Sequence, residues 1–306
     1  MAYTDLSLPK FMERFSGEQA CLQAVFDARW PRGFVCVHCQ HNGGYRLSGR
    51  RSIQCASCRR QTSITSGTIF HGSHLPLRRW FLAIYLVAHD KGGSSTLKLS
   101  KILGMHYATT WFLLHKLRHA MATRDENLTL AGYIELDEAF FGGKSRNKRT
   151  RKQAKRRSEK KKQVFILVES EGAQAGNLVM KVIKNATLSV LKPIIADKIE
   201  AEPPGQFFRG DGWQAHDVVM QFGHRIKMGH IPNHLQDQEL PCMSLVIAHA
   251  KRFLLGTFHH FCKKHLQRYL DEFCYRWNRR HLERHLASRL IAACSLAPPI
   301  TYAAIS

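Results

Sequence analysis

Acidic residues are scarce in this 306-residue chain, which has 23 Asp and Glu against 46 Lys and Arg and a formal charge of +23. The chain also lacks a run of about 18 consecutive apolar residues, which argues against a membrane-spanning helix. Its first residues show no basic segment followed by an apolar core, the pattern of a secretory signal. We therefore expect a cytoplasmic protein with no membrane partner, and so basic a chain makes nucleic acid the first partner to consider.

Apolar residues, by contrast, are plentiful at 44% of the chain. This content and the length support a sizeable core, in one large domain or in two to three smaller ones. Residues 1–34 are predicted to form a helical N-terminal region, because residues 8–30 combine helical spacing with a capping pattern.

Four of the nine cysteines form two CxxC pairs, Cys36 with Cys39 and Cys55 with Cys58, separated by fifteen residues. Two tight turns at this spacing present four thiolates to one zinc ion. Short strand patterns between the pairs predict a zinc ribbon over residues 35–72. A ribbon of this size has almost no core, so one structural Zn²⁺ would supply most of its folding energy. The alternative is four buried free cysteines, which rarely coincide at such spacing.

Residues 73–125 read as helical, with a turn at Gly104 between two apolar-periodic segments. This pattern predicts a helix-turn-helix, and the basic residues Lys116 and Arg118 on the second helix favour contact with DNA. An ordinary helical hairpin is the alternative, because glycine turns between helices are common.

After residue 125 the period changes from helix to strand, and we place a domain boundary there. Asp137 lies within an apolar-alternating run, where a carboxylate is costly to bury unless a metal or a proton neutralises it. Residues 144–162 follow, with twelve Lys or Arg and a single acid. We interpret this insertion as a clamp on the DNA backbone, and a solvated basic loop is the alternative. The residues assigned to the clamp are Lys144, Arg149, Arg151, Lys155 and Arg156.

Two more strand patterns, a helical pattern at residues 186–199 and a fourth strand at residues 206–213 follow. The fourth strand ends in Asp211 between two glycines, which is also what a simple turn aspartate looks like. Helical patterns then cover residues 245–255 and 263–280, and residues 286–306 are interpreted as a loosely held tail. This order predicts an α/β fold in which residues 126–285 form a ribonuclease H-like sheet, a fold used for two-metal phosphoryl transfer.

A series of short motifs runs through the chain in a fixed order. They are LPKFMERF at 8–15, WPRGFVC at 30–36, the CxxC pairs, TSITSGT at 62–68, IELDE at 134–138, GGK at 142–144, GDGW at 210–213, LLGTFH at 254–259 and KHLQRYLDEF at 264–273. This series resembles the DDE-class transposases of bacterial insertion sequences, and most closely insertion-sequence family 1595 with its N-terminal zinc ribbon. The resemblance implies an enzyme that binds terminal inverted repeats, hydrolyses DNA with two Mg²⁺ or Mn²⁺ ions and transfers strands. It also implies double-stranded DNA of transposon ends and target as partners, homo-oligomers on DNA and association with the nucleoid.

The resemblance further implies that Asp137 and Asp211 are the first two metal ligands. No glutamate stands in the helix that should supply the third, and the alignment places His249 there, 38 residues after Asp211. Imidazole is a softer ligand than carboxylate, which favours Mn²⁺. Glu239, 28 residues after Asp211, is the rival. Lys251 resembles the lysine that positions DNA near the active site.

Glu135 and Glu138 flank Asp137, and we assign both to the opposite face of the strand. Three alternative functions stay open at this point. They are a zinc-ribbon DNA-binding regulator, a structure-specific nuclease of the same fold, and a catalytically inactive transposase derivative that only binds DNA. A regulator would leave the strand-borne aspartates without a purpose.

Overall fold

A computed structural model describes residues 7–142, 161–172, 174–200, 207–210, 225–228, 236–258 and 262–306. The chain divides into two compact units. The first joins Met1–Arg124 to His281–Ser306, and the second is Asp125–Arg280. The predicted regions 1–34 and 35–72, and the region 73–125 up to Arg124, therefore belong to one unit, together with the C-terminal residues.

The first unit contains a three-stranded antiparallel sheet in the order β1-β2-β3 and most of the helices. Gly44, at the start of β1, leaves no room for a side chain, because an added Cβ would lie 2.6 Å from the carbonyl oxygen of Gln54. The elements of this unit are α1 Leu8–Arg14, α2 Glu18–Arg29, β1 Gly44–Arg46, β2 Ser52–Cys55, β3 Gln61–Ser63, α3 Leu77–His89, α4 Thr96–Leu103, α5 Tyr107–Arg124 and, near the C-terminus, α10 Leu286–Leu296.

Helices α4 and α5 are joined at Gly104, as the sequence predicts. Ser95 caps α4 by accepting a hydrogen bond from the backbone N–H of Lys98 at 3.2 Å. Gly104 ends the helix in the left-handed conformation, with φ of 59°, which glycine adopts without strain. The turn of the predicted motif is therefore present, and α5 continues for 18 residues.

The C-terminal helix α10 is part of the core of the first unit, where it packs on α2, α3 and α5. Leu290 and Cys294 are both fully buried. The prediction of a loosely held tail over residues 286–306 is wrong, because Leu286, Leu290, Ile291 and Cys294 form an apolar stripe at helical spacing that packs on these neighbours.

The second unit is built on a five-stranded sheet in the order β6-β5-β4-β7-β8. Strand β5 runs antiparallel to both of its neighbours, β4 and β6, whereas β7 runs parallel to β4 and β8 runs parallel to β7. This is the mixed α/β arrangement expected of a ribonuclease H-like sheet. Its elements are β4 Tyr133–Phe141, β5 Lys162–Glu171, β6 Gln174–Ile183, α6 Leu188–Lys198, β7 Phe207–Gly210, β8 Arg225–Met228, α7 Gln236–Glu239, α8 Pro241–Thr257 and α9 Leu266–Trp277.

Each face of this sheet has its own hydrophobic core. Side chains of α8 and α9 cover one face together with Ala139 and Phe141 of β4. Side chains of α6 cover the other face together with Ile134 and Leu136. The period-two alternation of β4 therefore decides which helices each of its residues meets.

Side-chain amides cover the outer edge of β6. Gln267 accepts a hydrogen bond from the backbone N–H of Val182 at 2.7 Å and donates to the carbonyl of Met180 at 3.0 Å. Asn278 accepts from the N–H of Leu178 at 2.8 Å and donates to the carbonyl of the same residue at 3.0 Å. The edge strand is thereby protected from pairing with another strand.

Within the described residues, no helix is both long and apolar enough to cross a membrane.

Candidate functional site: a four-cysteine centre and a strand-borne aspartate

The two CxxC pairs come together in the first unit. The Sγ atoms of Cys36, Cys39, Cys55 and Cys58 all lie within 4.8 Å of one another. The Cys36–Cys58 separation is 3.7 Å and the Cys39–Cys55 separation is 3.6 Å. A tetrahedron of sulfur atoms around zinc, with Zn–S bonds of about 2.3 Å, has edges of about 3.8 Å. The four thiols therefore have the spacing that a structural zinc ion requires.

Two equivalent turns produce this spacing. Gln40 and Arg59 each have a φ of 57°, and their N–H groups donate to the carbonyls of Cys36 and Cys55 respectively. Hydrogen bonds from backbone N–H groups, that of Cys39 first, lower the pKa of the Cys36 thiol to about 6. These amides favour the thiolate form, which is the form that binds metal.

Asp137 lies in the middle of β4, the central strand of the second sheet, and is half-buried. Because Ala139 and Phe141 face α8 and α9, alternation places Asp137 on that same face. Its Oδ1 atom accepts a hydrogen bond from the N–H of Glu138 at 2.7 Å. The structure therefore presents a carboxylate on the face that α8 covers.

Glu135 shares this face with Asp137, because the two residues are two positions apart on the strand. Its assignment to the opposite face is therefore wrong, whereas Glu138 alternates with Asp137 as expected. Glu135 is 1% exposed, and its carboxylate accepts hydrogen bonds from the N–H of Met243 at 2.7 Å and from the Ser170 hydroxyl at 3.0 Å. Burial raises the pKa of Glu135. The two-residue spacing in the sequence was the signal that identifies this residue.

Strand β7 approaches β4 directly before Asp211. In the parallel register, Glu135 is opposite Arg209, so the two members of this pair stand two residues before Asp137 and Asp211 respectively. Strand β7 ends at Gly210, and Asp211 itself lies outside the described residues.

His249 and Lys251 are both exposed on α8. The His249 ring lies 5.7 Å from the Trp277 ring of α9, and Phe253, one turn further on, packs 5.6 Å from Phe273 of α9. At about 100° per residue, Lys251 is about 200° around the helix from His249. The structure thus turns His249 toward α9 and Lys251 to the other flank of α8.

Glu239, the rival third ligand, is held by Arg209. The two side chains form an ion pair, and the Glu239 carbonyl accepts a hydrogen bond from Arg209 Nε at 2.8 Å. Among the residues that the structure describes, only the four cysteines form a set of three or more His, Cys, Asp or Glu whose ligand atoms lie close together.

The two predicted DNA contacts on α5 are buried. Lys116 is 5% exposed and Arg118 is 2% exposed. The Lys116 ammonium donates to the carbonyl of Ile69 at 3.0 Å, and burial lowers its pKa. The prediction that these two residues contact DNA is wrong for this structure, because α5 turns both side chains into the first unit. The five residues assigned to the basic clamp, Lys144, Arg149, Arg151, Lys155 and Arg156, lie outside the described residues.

Two family models match the chain, one in each unit. The transposase zinc-ribbon domain matches residues 16–61, and the ISXO2-like transposase domain matches residues 129–278. Together they cover nearly two thirds of the chain, and they define the protein as a transposase with an N-terminal zinc ribbon. The chain belongs to the family 1595 transposases of insertion sequences, which confirms the resemblance seen in the sequence.

Individual relatives are more distant. An uncharacterized protein in transposable element ISH50 of Halobacterium salinarum is 24% identical over 221 residues, which cover 68% of this chain and 72% of that protein. A simian T-cell lymphotropic virus intasome in complex with PP2A regulatory subunit B56 gamma shares 15% identity at a TM-score of 0.30, covering 68% of this chain and 78% of the other. A pre-cleavage Mos1 transpososome shares 9% identity at a TM-score of 0.28, covering 72% and 79%. The family assignment rests on the two domain matches.

Proposed function

We propose that this protein is a DDE-class transposase that cuts and joins double-stranded DNA at the ends of an insertion sequence. The observation that carries the proposal is the position of Asp137, half-buried on the central strand of a transposase-family sheet. The parallel register with β7 supports it, because Asp211 follows Arg209 by the same two residues that separate Asp137 from Glu135.

Asp137 and Asp211 supply the hard oxygen donors that Mg²⁺ and Mn²⁺ prefer. Two such ions, when bound, activate the attacking oxygen and stabilise the leaving oxygen of a phosphodiester. A carboxylate such as that of Asp137, on the central strand of a sheet, holds its position before the substrate arrives, which lowers the cost of reaching the transition state. In the first reaction water attacks the phosphorus at the transposon end and the 3′ oxygen leaves. In the second reaction this freed 3′ hydroxyl attacks a target phosphodiester, forms a bond to its phosphorus and displaces the 3′ oxygen of the target strand.

The third ligand in this proposal is His249, with Glu239 as its competitor. Both residues have other partners in the described structure, namely Trp277 for His249 and Arg209 for Glu239.

Lys251 is proposed to hold a DNA phosphate as a point charge, because it is exposed and lies on the flank of α8 away from His249. The zinc ribbon and the α4–α5 pair are proposed to bind the terminal inverted repeats, and the basic segment 144–162 to clamp the backbone. Assembly into a homo-oligomer on paired DNA ends completes the proposal.

A cleavage assay on a transposon-end duplex in Mg²⁺ tests the catalytic assignment. We expect Asp137→Asn and Asp211→Asn to abolish cleavage and Glu138→Gln to retain it. Glu138 is a matched control, because it is the next acid along β4 and alternates to the other face. Cleavage by the Asp137→Asn protein at the wild-type rate would refute the assignment.

Two further comparisons refine the activity. Joining of a cleaved end to target DNA separates a transposase from a nuclease of the same fold that only hydrolyses. Loss of cleavage in His249→Ala together with full activity in Glu239→Ala would assign the third ligand to His249, and the reverse pattern would assign it to Glu239.

One observation favours a second function, that of a DNA-binding derivative without catalysis. Glu239 is paired with Arg209 in the described structure, and helix α8 carries a histidine and no glutamate that could supply the third ligand. Metal-dependent nicking by the purified protein distinguishes the two functions, because a regulator or an inactive derivative binds the same duplex and leaves it intact.

A further inference from the structure

We propose that Glu135 is a positioning residue that holds the start of helix α8 in a fixed place against strand β4. The inference rests on the proposed function, because it concerns the placement of the helix that carries Lys251 and His249. In this proposal Glu135 does not bind the metal ions.

Helix α8 begins without a cap of its own. Its N-cap residue is Leu240, which makes no side-chain cap hydrogen bond, and Pro241 follows. The first N–H groups of a helix have no partner within the helix. Met243, the third residue of α8, donates its N–H to Glu135 Oε2 at 2.7 Å. The Glu135 carboxylate of strand β4 thus takes the place of the missing cap. It lies at the N-terminal end of the helix, where a negative charge is favourable.

The other oxygen of Glu135 ties the carboxylate to a third element. Ser170, on β5, donates its hydroxyl to Glu135 Oε1 at 3.0 Å. The same hydroxyl lies 3.2 Å from the Cys242 sulfur of α8. One buried side chain therefore joins β4, β5 and the first turn of α8. Glu135 is 1% exposed, so a movement that took its carboxylate away from these donors would leave a buried charge without partners.

This contact is close to the proposed chemistry. Asp137 is two residues further along the same face of β4, and Lys251 is eight residues after Met243 on α8. Glu135 therefore fixes how far α8 slides along β4, and with it the placement of the α8 side chains relative to Asp137. A misplacement of about 1 Å at a reacting centre costs on the order of a hundredfold in rate.

Two substitutions separate positioning from a role of the negative charge. Glu135→Gln keeps the length and an oxygen that accepts from Met243, while Ser170 can turn its hydroxyl to the Gly172 carbonyl, which lies 3.1 Å away. Glu135→Asp keeps the charge and withdraws the carboxylate by about one methylene. If the role of Glu135 is geometric, Glu135→Gln retains cleavage activity and Glu135→Asp loses it.

Glu169 is a matched control in the same sheet. Its carboxylate also accepts two backbone hydrogen bonds, from Ala131 at 3.1 Å and from Asn177 at 2.8 Å, and neither donor is on α8. Glu169→Asp removes a similar amount of hydrogen bonding without releasing the helix.

The experiment measures single-turnover cleavage of a transposon-end duplex, its KM for DNA, Mn²⁺ binding by calorimetry and amide exchange of α8. For Glu135→Asp we expect about a hundredfold loss of the cleavage rate with KM within about twofold. Weaker Mn²⁺ binding and faster exchange at Met243, by about tenfold, should accompany it. Glu135→Gln and Glu169→Asp should stay within about fivefold of the wild-type rate.

Activity in Glu135→Asp with loss in Glu135→Gln would overturn the proposal, because the charge and not the geometry would then matter. Equal losses in Glu135→Asp and Glu169→Asp would also overturn it, because the effect would then be general destabilisation of the sheet. Asp137→Asn is run in parallel. If that protein cleaves normally the proposed function fails, whereas inactive Asp137→Asn beside fully active Glu135→Asp refutes only the positioning role.

Discussion

The side-chain amides of Gln267 and Asn278 form hydrogen bonds with the edge strand β6, and removing one of them should lower the stability of the protein. Replacing Asn278 by Ala removes both hydrogen bonds that its side chain makes to the N–H and the carbonyl of Leu178. Leu178 is fully buried and Asn278 is 7% exposed, so water does not readily replace the amide. Each buried group left without a partner costs about 1–3 kcal/mol, and we therefore expect a loss of about 2–5 kcal/mol.

Urea unfolding followed by far-ultraviolet circular dichroism measures this loss. The midpoint should fall while the slope stays unchanged, since a change in slope would indicate an altered unfolded state. Asn185→Ala is a suitable control, because Asn185 is an exposed residue whose side chain accepts a hydrogen bond from the neighbouring Thr187 hydroxyl at 3.3 Å. We expect that control to change stability by less than about 0.5 kcal/mol. If Asn278→Ala lowers the free energy of unfolding by less than about 1 kcal/mol, the Asn278 amide is not needed as a partner for the N–H and carbonyl of Leu178.

Three other predictions concern zinc, pH and the buried lysine. Removing zinc with a chelator should abolish amide-exchange protection in β1–β3 and leave that of β4–β6 unchanged, because the ribbon has little core of its own. Burial raises the pKa of Asp271 from 3.8 to about 6, so the folded state binds the proton more tightly than the unfolded state and stability falls as pH rises between about 4 and 6. At a pH above 6, Asp271→Asn should therefore raise the free energy of unfolding by up to about 3 kcal/mol, and below about pH 4 it should have no effect. A gain in stability that persists at acid pH would show that the buried charge of Asp271 is not its cause. Lys116→Met should leave the salt dependence of DNA binding unchanged, whereas a phosphate contact at Lys116 would lower the slope by about 0.9.

The zinc ribbon and the first four strands of the second unit could be predicted from the sequence because their signals are local, whereas strand β8 was not predicted. Two CxxC pairs specify a ligand type and a spacing, and the alternation around Asp137 specifies a strand. The turn at Gly104 is local in the same sense, since only the residue's own backbone decides whether a left-handed conformation is tolerated. None of these features depends on a contact with a residue far away in the chain.

Side-chain direction on helices could not be predicted in the same way. Lys116 reads as a DNA contact by charge alone, but α5 turns it inward to the Ile69 carbonyl. The orientation of His249 toward Trp277 likewise depends on how α8 packs against α9. A helix exposes or buries a polar residue according to its neighbours, and those neighbours are far away in the chain.

The sequence by itself determined the family, the four zinc ligands and the strand that carries Asp137, because each is encoded in residues close together. Only the tertiary structure decided that the C-terminal helix α10 belongs to the core of the first unit. It likewise decided that Glu135 caps α8 from a strand 108 residues earlier in the chain. The physical reason is the same in both cases: an apolar stripe or a bare helix end shows that a partner is needed, and only the folded chain shows which partner supplies it.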